Sequence, residues 1–143
     1  MNGRDFLSAA RRQAASGHES DWRSAASRAY YAAFHVARDL LTALGFTTPT
    51  ADRAHDYLYH RLNNCGVPAV QQASSVLHDL RRRRNRADYD IQSSFASQIA
   101  SKALTQADDV IRTLDGLSSS QRAQITNGMK AYEQQIGHVT WKP

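Results

Sequence analysis

The sequence predicts an all-α protein: an antiparallel up-and-down bundle of four to five helices with a peripheral C-terminal helix. Apolar residues recur three and four positions apart along most of the chain, which is the spacing of one helix face. The three prolines and seven glycines fall between these periodic segments, and no stretch alternates as a strand would. A chain of 143 residues fits one domain with its own core. We expect that core over about residues 4–115 and the last helix over about residues 119–137.

The first two helices are predicted over about residues 4–16 and 22–44. Gly45 ends the second helix, because glycine accepts the left-handed backbone that often follows a helix. Ser20 or Asp21 is expected to cap its N-terminus, since their side chains accept hydrogen bonds from free backbone N–H groups.

Helix two has two faces of different chemistry. Its buried face is expected to contain Trp22, Ala25, Ala29, Ala33, Val36, Leu40 and Leu44. The many small residues allow a neighbouring helix to approach closely. Arg28, Tyr31 and His35 form a second, polar stripe at helical spacing.

The remaining helices are predicted over about residues 51–63, 69–88, 95–114 and 121–136. Ser93 or Ser94 is expected to cap the fifth helix. The last helix is polar and offers few apolar side chains, so we expect a peripheral or dimer-forming element. The tail that follows, through Pro143, is expected to be loose.

The segment from Arg81 to Asp90 concentrates the charge of the chain. Five of its first six residues are arginine, and the whole chain carries a net charge of +5. The basic character is therefore focal, which indicates a particular partner more strongly than a high isoelectric point does. Guanidinium groups bind phosphates through paired hydrogen bonds. The alternative is a solvated helix face whose arginines pair with nearby acids.

Other chemistry is poorly supported. The chain has no glycine-rich phosphate loop, no metal-binding motif and a single cysteine, Cys65, so we predict no cofactor, metal site or internal disulfide. His55 and His60 point in different directions around one helix, which disfavours a shared metal. Asp88 could act as a base, but beside so many arginines it is better suited to anchor Arg84.

Two motifs together resemble a known family. The residues Ser27-Arg28-Ala29-Tyr30-Tyr31-Ala32-Ala33-Phe34-His35, followed by Leu80-Arg81 and by Arg84-Asn85-x-Ala87-Asp88-Tyr89, are similar to the HEPN family (higher eukaryotes and prokaryotes nucleotide-binding). The opening of the chain, with Phe6-Leu7, is also similar. The resemblance covers about residues 4–115.

The resemblance implies a helical bundle that commonly dimerises, with the Arg-Asn segments of both subunits lining a shared cleft. Many members are metal-independent ribonucleases, often toxins of toxin–antitoxin or other defence systems. Others are paired with a nucleotidyltransferase. The ribonucleases carry an arginine followed a few residues later by a histidine; here Asp88 and Tyr89 occupy that region, and the next histidine after Arg84 is His138.

We therefore expect a module that binds RNA or nucleotide phosphate and works with a nucleotidyltransferase-type or antitoxin partner. A homodimer is expected, in the cytoplasm and without contact to a membrane. The predicted binding residues are Arg28, Tyr31, His35, Arg81, Arg82, Arg83, Arg84, Asn85 and Arg86. The candidate catalytic residues are Arg84, Asp88 and Tyr89. Two alternatives are a metal-independent ribonuclease with a non-standard active site, in which Tyr89, Asp88 or His35 replaces the usual histidine, and a protein–protein docking module.

Overall fold

A computed structural model describes all residues, 1–143, and contains six helices and no strand. The helices are α1 (Gly3–Ala14), α2 (Glu19–Ala43), α3 (Arg53–Asn63), α4 (Pro68–Tyr89), α5 (Ser97–Asp115) and α6 (Ser119–Ile136). Consecutive helices from α1 to α5 contact each other, as in an antiparallel bundle, whereas α6 packs against α3. The predicted fold class is confirmed. None of the helices combines the length and apolar character that crossing a membrane requires.

The centre of the bundle is α2, which packs against α1, α4 and α5. Six of its alanines are fully buried: Ala25, Ala26, Ala29, Ala32, Ala33 and Ala37. Alanine adds no side-chain entropy cost on burial and keeps the surface of the helix flat. Three neighbouring helices can therefore pack around α2 at close range, as the small-residue pattern predicts.

The predicted caps of α2 and α5 are wrong. Glu19 begins α2, and its N-cap position is occupied by His18, whose side chain makes no capping hydrogen bond. Ser16 lies just before and donates to the Asp21 carboxylate at 2.6 Å, so Asp21 binds a side chain rather than the helix terminus. The end of α2 is as expected, because Gly45 follows it with a φ of +102°.

The fifth helix starts later than predicted. Ala96 occupies its N-cap position, without a side-chain hydrogen bond. The Ser93 hydroxyl donates instead to the backbone oxygen of Asp90 at 3.1 Å. Phe95 therefore precedes α5 rather than opening it, yet its ring is buried in the core as predicted.

The last helix lies against α3 and against the turn that follows it. Ile125 and Met129 are fully buried. Gly128 faces the Cys65 carbonyl so closely that a Cβ atom would stand 1.9 Å from its oxygen. Glycine at this position therefore sets how closely α6 approaches. Burial at the same place raises the pKa of the Cys65 thiol, which keeps the thiol protonated.

The tail is not loose, because a buried glutamate of α6 holds it. Glu133 accepts hydrogen bonds from the backbone N–H groups of Thr140, at 2.9 Å, and Trp141, at 3.0 Å. Arg61 of α3 donates to the same carboxylate at 3.1 Å. The Glu133 and Arg61 side chains are only 0% and 5% exposed. The pair therefore joins α3, α6 and the tail in one hydrogen-bond network.

The end of the tail also reaches the turn after α2. The indole N–H of Trp141 donates to the Leu44 carbonyl at 2.9 Å, and the Lys142 N–H donates to the Gly45 carbonyl at 2.9 Å. The Lys130 ammonium lies 3.6 Å from the centre of the Trp141 ring. These contacts hold residues 140–142 against the bundle.

Glu133 also makes stability depend on pH. Burial alone raises the pKa of a carboxyl group, but the hydrogen bonds from Thr140, Trp141 and Arg61 outweigh burial here and lower the pKa of Glu133 below its ordinary value of 4.5. The stabilisation is therefore present above pH 4.5 and is lost as the pH falls through the pKa of the folded state.

Glu133→Gln should destabilise the protein strongly, because it leaves the Arg61 charge buried without a counter-charge. Breaking such a buried pair typically costs about 3–5 kcal/mol of unfolding free energy. Urea unfolding at pH 7, followed by circular dichroism, measures the loss, and the difference from wild type should shrink on acidification below the Glu133 pKa. Glu19→Gln, which removes an exposed partner of Arg23, is the control and should cost less than about 1 kcal/mol. Equal stability of the two variants would contradict the structural role of the pair.

Candidate functional site

A cleft lies between α1, α2 and the end of α4. Its volume is about 440 Å³, and its walls are formed by Phe6, Ser24, Ser27, Arg28, Tyr31, His35 and Asp88. Five of these seven residues belong to α2, at the spacing of one helix face. The polar stripe of Arg28, Tyr31 and His35 read from the sequence is therefore one wall of the cleft.

Arg84 of α4 contacts two of the residues that line the cleft, Tyr31 and Asp88, and is held from several sides. Its guanidinium donates to the Tyr31 hydroxyl at 2.6 Å and to the Asn85 side-chain oxygen at 2.8 Å. Nε lies 3.1 Å from a carboxylate oxygen of Asp88. The guanidinium carbon lies 5.2 Å from the centre of the Tyr31 ring. Arg84 is thus fixed in position before any ligand binds.

Asp88 connects α4 to α2. The hydroxyl of Ser27 donates to its carboxylate at 3.1 Å, and the contact with Arg84 is to the same oxygen, Oδ2. The arrangement that the spacing of Arg84 and Asp88 predicts, an anchoring ion pair, is present in the structure.

The other arginines of the run point away from the cleft. Arg81 pairs with Asp56 of α3 at 2.9 Å. Arg83 donates to Gln106 of α5 at 2.9 Å, and Arg86 donates to the Ser94 carbonyl at 3.1 Å. Successive residues of a helix point about 100° apart, so a consecutive run cannot form one patch. The structure brings only Arg84 and Asn85 of this run to the cleft region.

Among the arginines of the cleft and of the run from Arg81 to Arg86, two have no partner in the structure. Arg28 in the cleft and Arg82 on the outer face of α4 are exposed, and neither makes an ion pair or a side-chain hydrogen bond. Arg28 therefore keeps all its donors free beside the cleft.

His35 lines the cleft in its neutral form. Its ring stacks on Phe6 with centroids 5.5 Å apart and lies 6.3 Å from the Tyr31 ring. Burial, and then the charge of Arg38, lower the pKa of His35. A neutral imidazole can accept a proton near pH 7.

His55 of α3 is a polar residue near the cleft, and the sequence disfavours it as a metal ligand. Its Nδ1 forms a hydrogen bond with the hydroxyl of the buried Tyr30. Burial raises the pKa of Tyr30, so this hydroxyl stays protonated and donates. Burial, followed by the charges of Arg81 and Arg84, lowers the pKa of His55. Tyr30 and His55 lie 25 positions apart on different helices. The periodicity of a single helix therefore does not indicate this contact.

Tyr89 stands at the edge of the site rather than inside it. Its side chain is 71% exposed, next to Ile91 at 68%. The Arg84 guanidinium lies 5.4 Å from the centre of its ring. No group of three or more histidine, cysteine or acidic residues is placed to hold a metal ion.

Arg81→Gln should raise the pKa of His55 towards 6.5, because the arginine charge disfavours the imidazolium form. A pH titration followed by two-dimensional NMR of the imidazole nitrogens measures the midpoints of His55 and His35 in one sample. The midpoint of His35, which is shifted by burial and Arg38, should stay unchanged. Arg82→Gln is the matched control and should move neither histidine. An unchanged His55 midpoint in Arg81→Gln would refute the electrostatic coupling.

Comparison with known proteins adds one finding. A family model described as HEPN domain matches residues 2–117. The match begins at the N-cap of α1 and ends just after α5, so α6 and the tail lie outside it. Neither the curated proteins nor the solved structures gave a match.

Proposed function

The chain belongs to the HEPN family, and we propose that it binds the phosphate groups of RNA or of nucleotides in the cleft between α1, α2 and α4. HEPN domains are associated with nucleotides and RNA. The observation that carries the proposal is the unpartnered guanidinium of Arg28 in a cleft whose lining residues Tyr31 and Asp88 contact Arg84.

Charge and hydrogen bonding both suit a phosphate. Arg28 has its donors free, and the side-chain hydroxyl of Ser24 makes no hydrogen bond in the structure. A guanidinium group can donate two hydrogen bonds to a pair of phosphate oxygens, and such contacts do not depend on the base. The cleft therefore offers positive charge and free donors to a ligand that arrives with negative charge and acceptors.

Aromatic rings line the same cleft. The Phe6 ring stacks on His35, and the Tyr31 ring lies 6.3 Å from the same histidine ring. Proteins that bind single-stranded nucleic acid without sequence preference combine aromatic rings with positively charged groups. Any base can stack on an aromatic ring. We favour single-stranded RNA over a duplex for this reason.

The assembly that we propose is a homodimer in the cytoplasm, acting with a nucleotidyltransferase-type or antitoxin partner in a defence system. Its support is the similarity to the family, together with the exposed Tyr89 and Ile91 next to the cleft, which would be covered by a second chain.

A second candidate function is metal-independent cleavage of RNA, and the neutral His35 favours it. In this scheme His35 accepts the proton of a ribose 2′-hydroxyl, whose oxygen attacks the adjacent phosphorus, and the 5′-oxygen leaves with a proton from water. Arg84 then stabilises the charge that develops on the phosphate. The Arg84-to-Tyr31 hydrogen bond would hold the guanidinium in place for this role.

Arg28→Ala should weaken the binding of a fluorescently labelled single-stranded RNA about tenfold or more, because one charge-assisted contact is worth about 1.5–3 kcal/mol. Fluorescence anisotropy at several salt concentrations measures the affinity. The slope of log affinity against log salt should also become shallower by about 0.7, the value of one phosphate contact on a single strand.

The matched control is Arg12→Ala, which removes an exposed arginine of α1 that has no ion pair. It lowers the net charge equally and should change the affinity by less than about twofold. Absence of RNA binding by the wild-type protein at low salt, or equal losses in the two variants, would rule out the cleft as the binding site.

Cleavage is tested by incubating the protein with total RNA in the absence of added metal. If the second candidate function holds, Arg84→Ala and His35→Gln should abolish cleavage while thermal unfolding shows both variants folded, and His18→Gln should remain active. Cleavage that survives Arg84→Ala would come from another site or a contaminant. If the wild-type protein binds RNA without cleaving it, the cleavage function is excluded and the binding function remains.

A further inference from the structure

We infer that the Asp88 carboxylate stands at the position where a phosphate group of the ligand binds, between Ser27 and Arg84, and that the ligand displaces it. This inference rests on the proposed binding function and names the subsite within it. The carboxylate is a built-in competitor that a phosphate must replace.

The surroundings of this carboxylate are those of an anion site. One oxygen of Asp88 receives the Ser27 hydroxyl at 3.1 Å and lies 3.1 Å from Nε of Arg84. The free guanidinium of Arg28 lines the same cleft. A hydroxyl and a guanidinium group at one anionic oxygen, with a second guanidinium group in the same cleft, are donors of the kind that bind phosphate in proteins.

Asp88 satisfies the Arg84 donor poorly. Although its oxygen is close to Nε of Arg84, the N–H at this buried atom has no hydrogen-bond acceptor in the structure. The carboxylate neutralises the charge without accepting along the N–H direction, because its short side chain is tied to the same helix. A ligand phosphate is not tethered in this way and can align with the donor.

The position of the Asp88 carboxylate in α4 is electrostatically unfavourable. The residue lies in the last turn of α4, where the helix dipole places partial negative charge. The pair with Arg84 also has the acid on the C-terminal side, the weaker order for a pair four residues apart. The carboxylate is therefore held by Ser27 and Arg84 rather than by α4, and it can rotate into solvent.

Arg84 stays in place when Asp88 leaves. Its other nitrogens donate to Tyr31 and Asn85, and neither contact involves Asp88. The guanidinium is therefore preorganised for an incoming phosphate.

Asp88→Asn tests the inference against Asp90→Asn, using the labelled single-stranded RNA described above. Both variants remove one negative charge near the end of α4, but Asp90 is exposed and its carboxylate contacts only Ser93. We expect Asp88→Asn to bind at least about fivefold more tightly than wild type, since no charged carboxylate opposes the phosphate. Asp90→Asn should gain less than about twofold. Ser27→Ala placed on Asp88→Asn should remove part of the gain.

The results distinguish failure of the proposed subsite from failure of the proposed binding function. RNA binding with equal gains in both variants, or weaker binding by Asp88→Asn, overturns the subsite and leaves the binding function standing. Absence of RNA binding by wild type and both variants overturns the binding function and the subsite with it. Inorganic phosphate added as a competitor should reduce RNA binding more effectively in Asp88→Asn than in wild type, and equal competition would also overturn the subsite.

Discussion

The close packing of three helices on the alanine face of α2 is the constraint on which the rest of the structure depends. Because Ala25, Ala29 and Ala33 are buried without protruding, α4 comes near enough to α2 for Arg84 to touch Tyr31 and for Asp88 to touch Ser27. Larger side chains on this face would push α4 outward and separate both pairs. The core and the cleft are therefore two sides of one helix, and the buried side sets the geometry of the exposed side.

The helices and the polar face of α2 could be predicted because both follow from the 3.6-residue period and need no knowledge of the neighbours. The partners of the arginine run could not, since each depends on which helix lies opposite: Arg81 meets α3, whereas Arg83 meets α5. The His55–Tyr30 contact and the anchored tail could not be predicted for the same reason. A lone glutamate in a polar helix is typical of a solvated surface, and only the packed structure places Glu133 next to Arg61.

The arginine run has two physical roles that the sequence presents as one. Arg81, Arg83 and Arg86 hold α4 to its neighbours through polar contacts. Arg84 turns towards α2, and Arg82 remains in solvent. The positive charge in the cleft thus depends less on the length of the run than on the free Arg28, which lies on α2 and outside the run altogether. The basic composition therefore does not locate the free positive charge of the cleft.

The buried Arg61–Glu133 pair has a consequence for how the chain is made. Arg61 leaves the ribosome 72 residues before Glu133, and the region matched by the family model, 2–117, is complete before α6 exists. During that interval the Arg61 guanidinium must stay hydrated, so the surface of α3 beside it remains open to water. Docking of α6 then supplies the counter-charge, and residues 140–142 close over it. The counter-charge of Arg61 therefore comes from outside the region that the family model matches, and it is available only after that region has been synthesised.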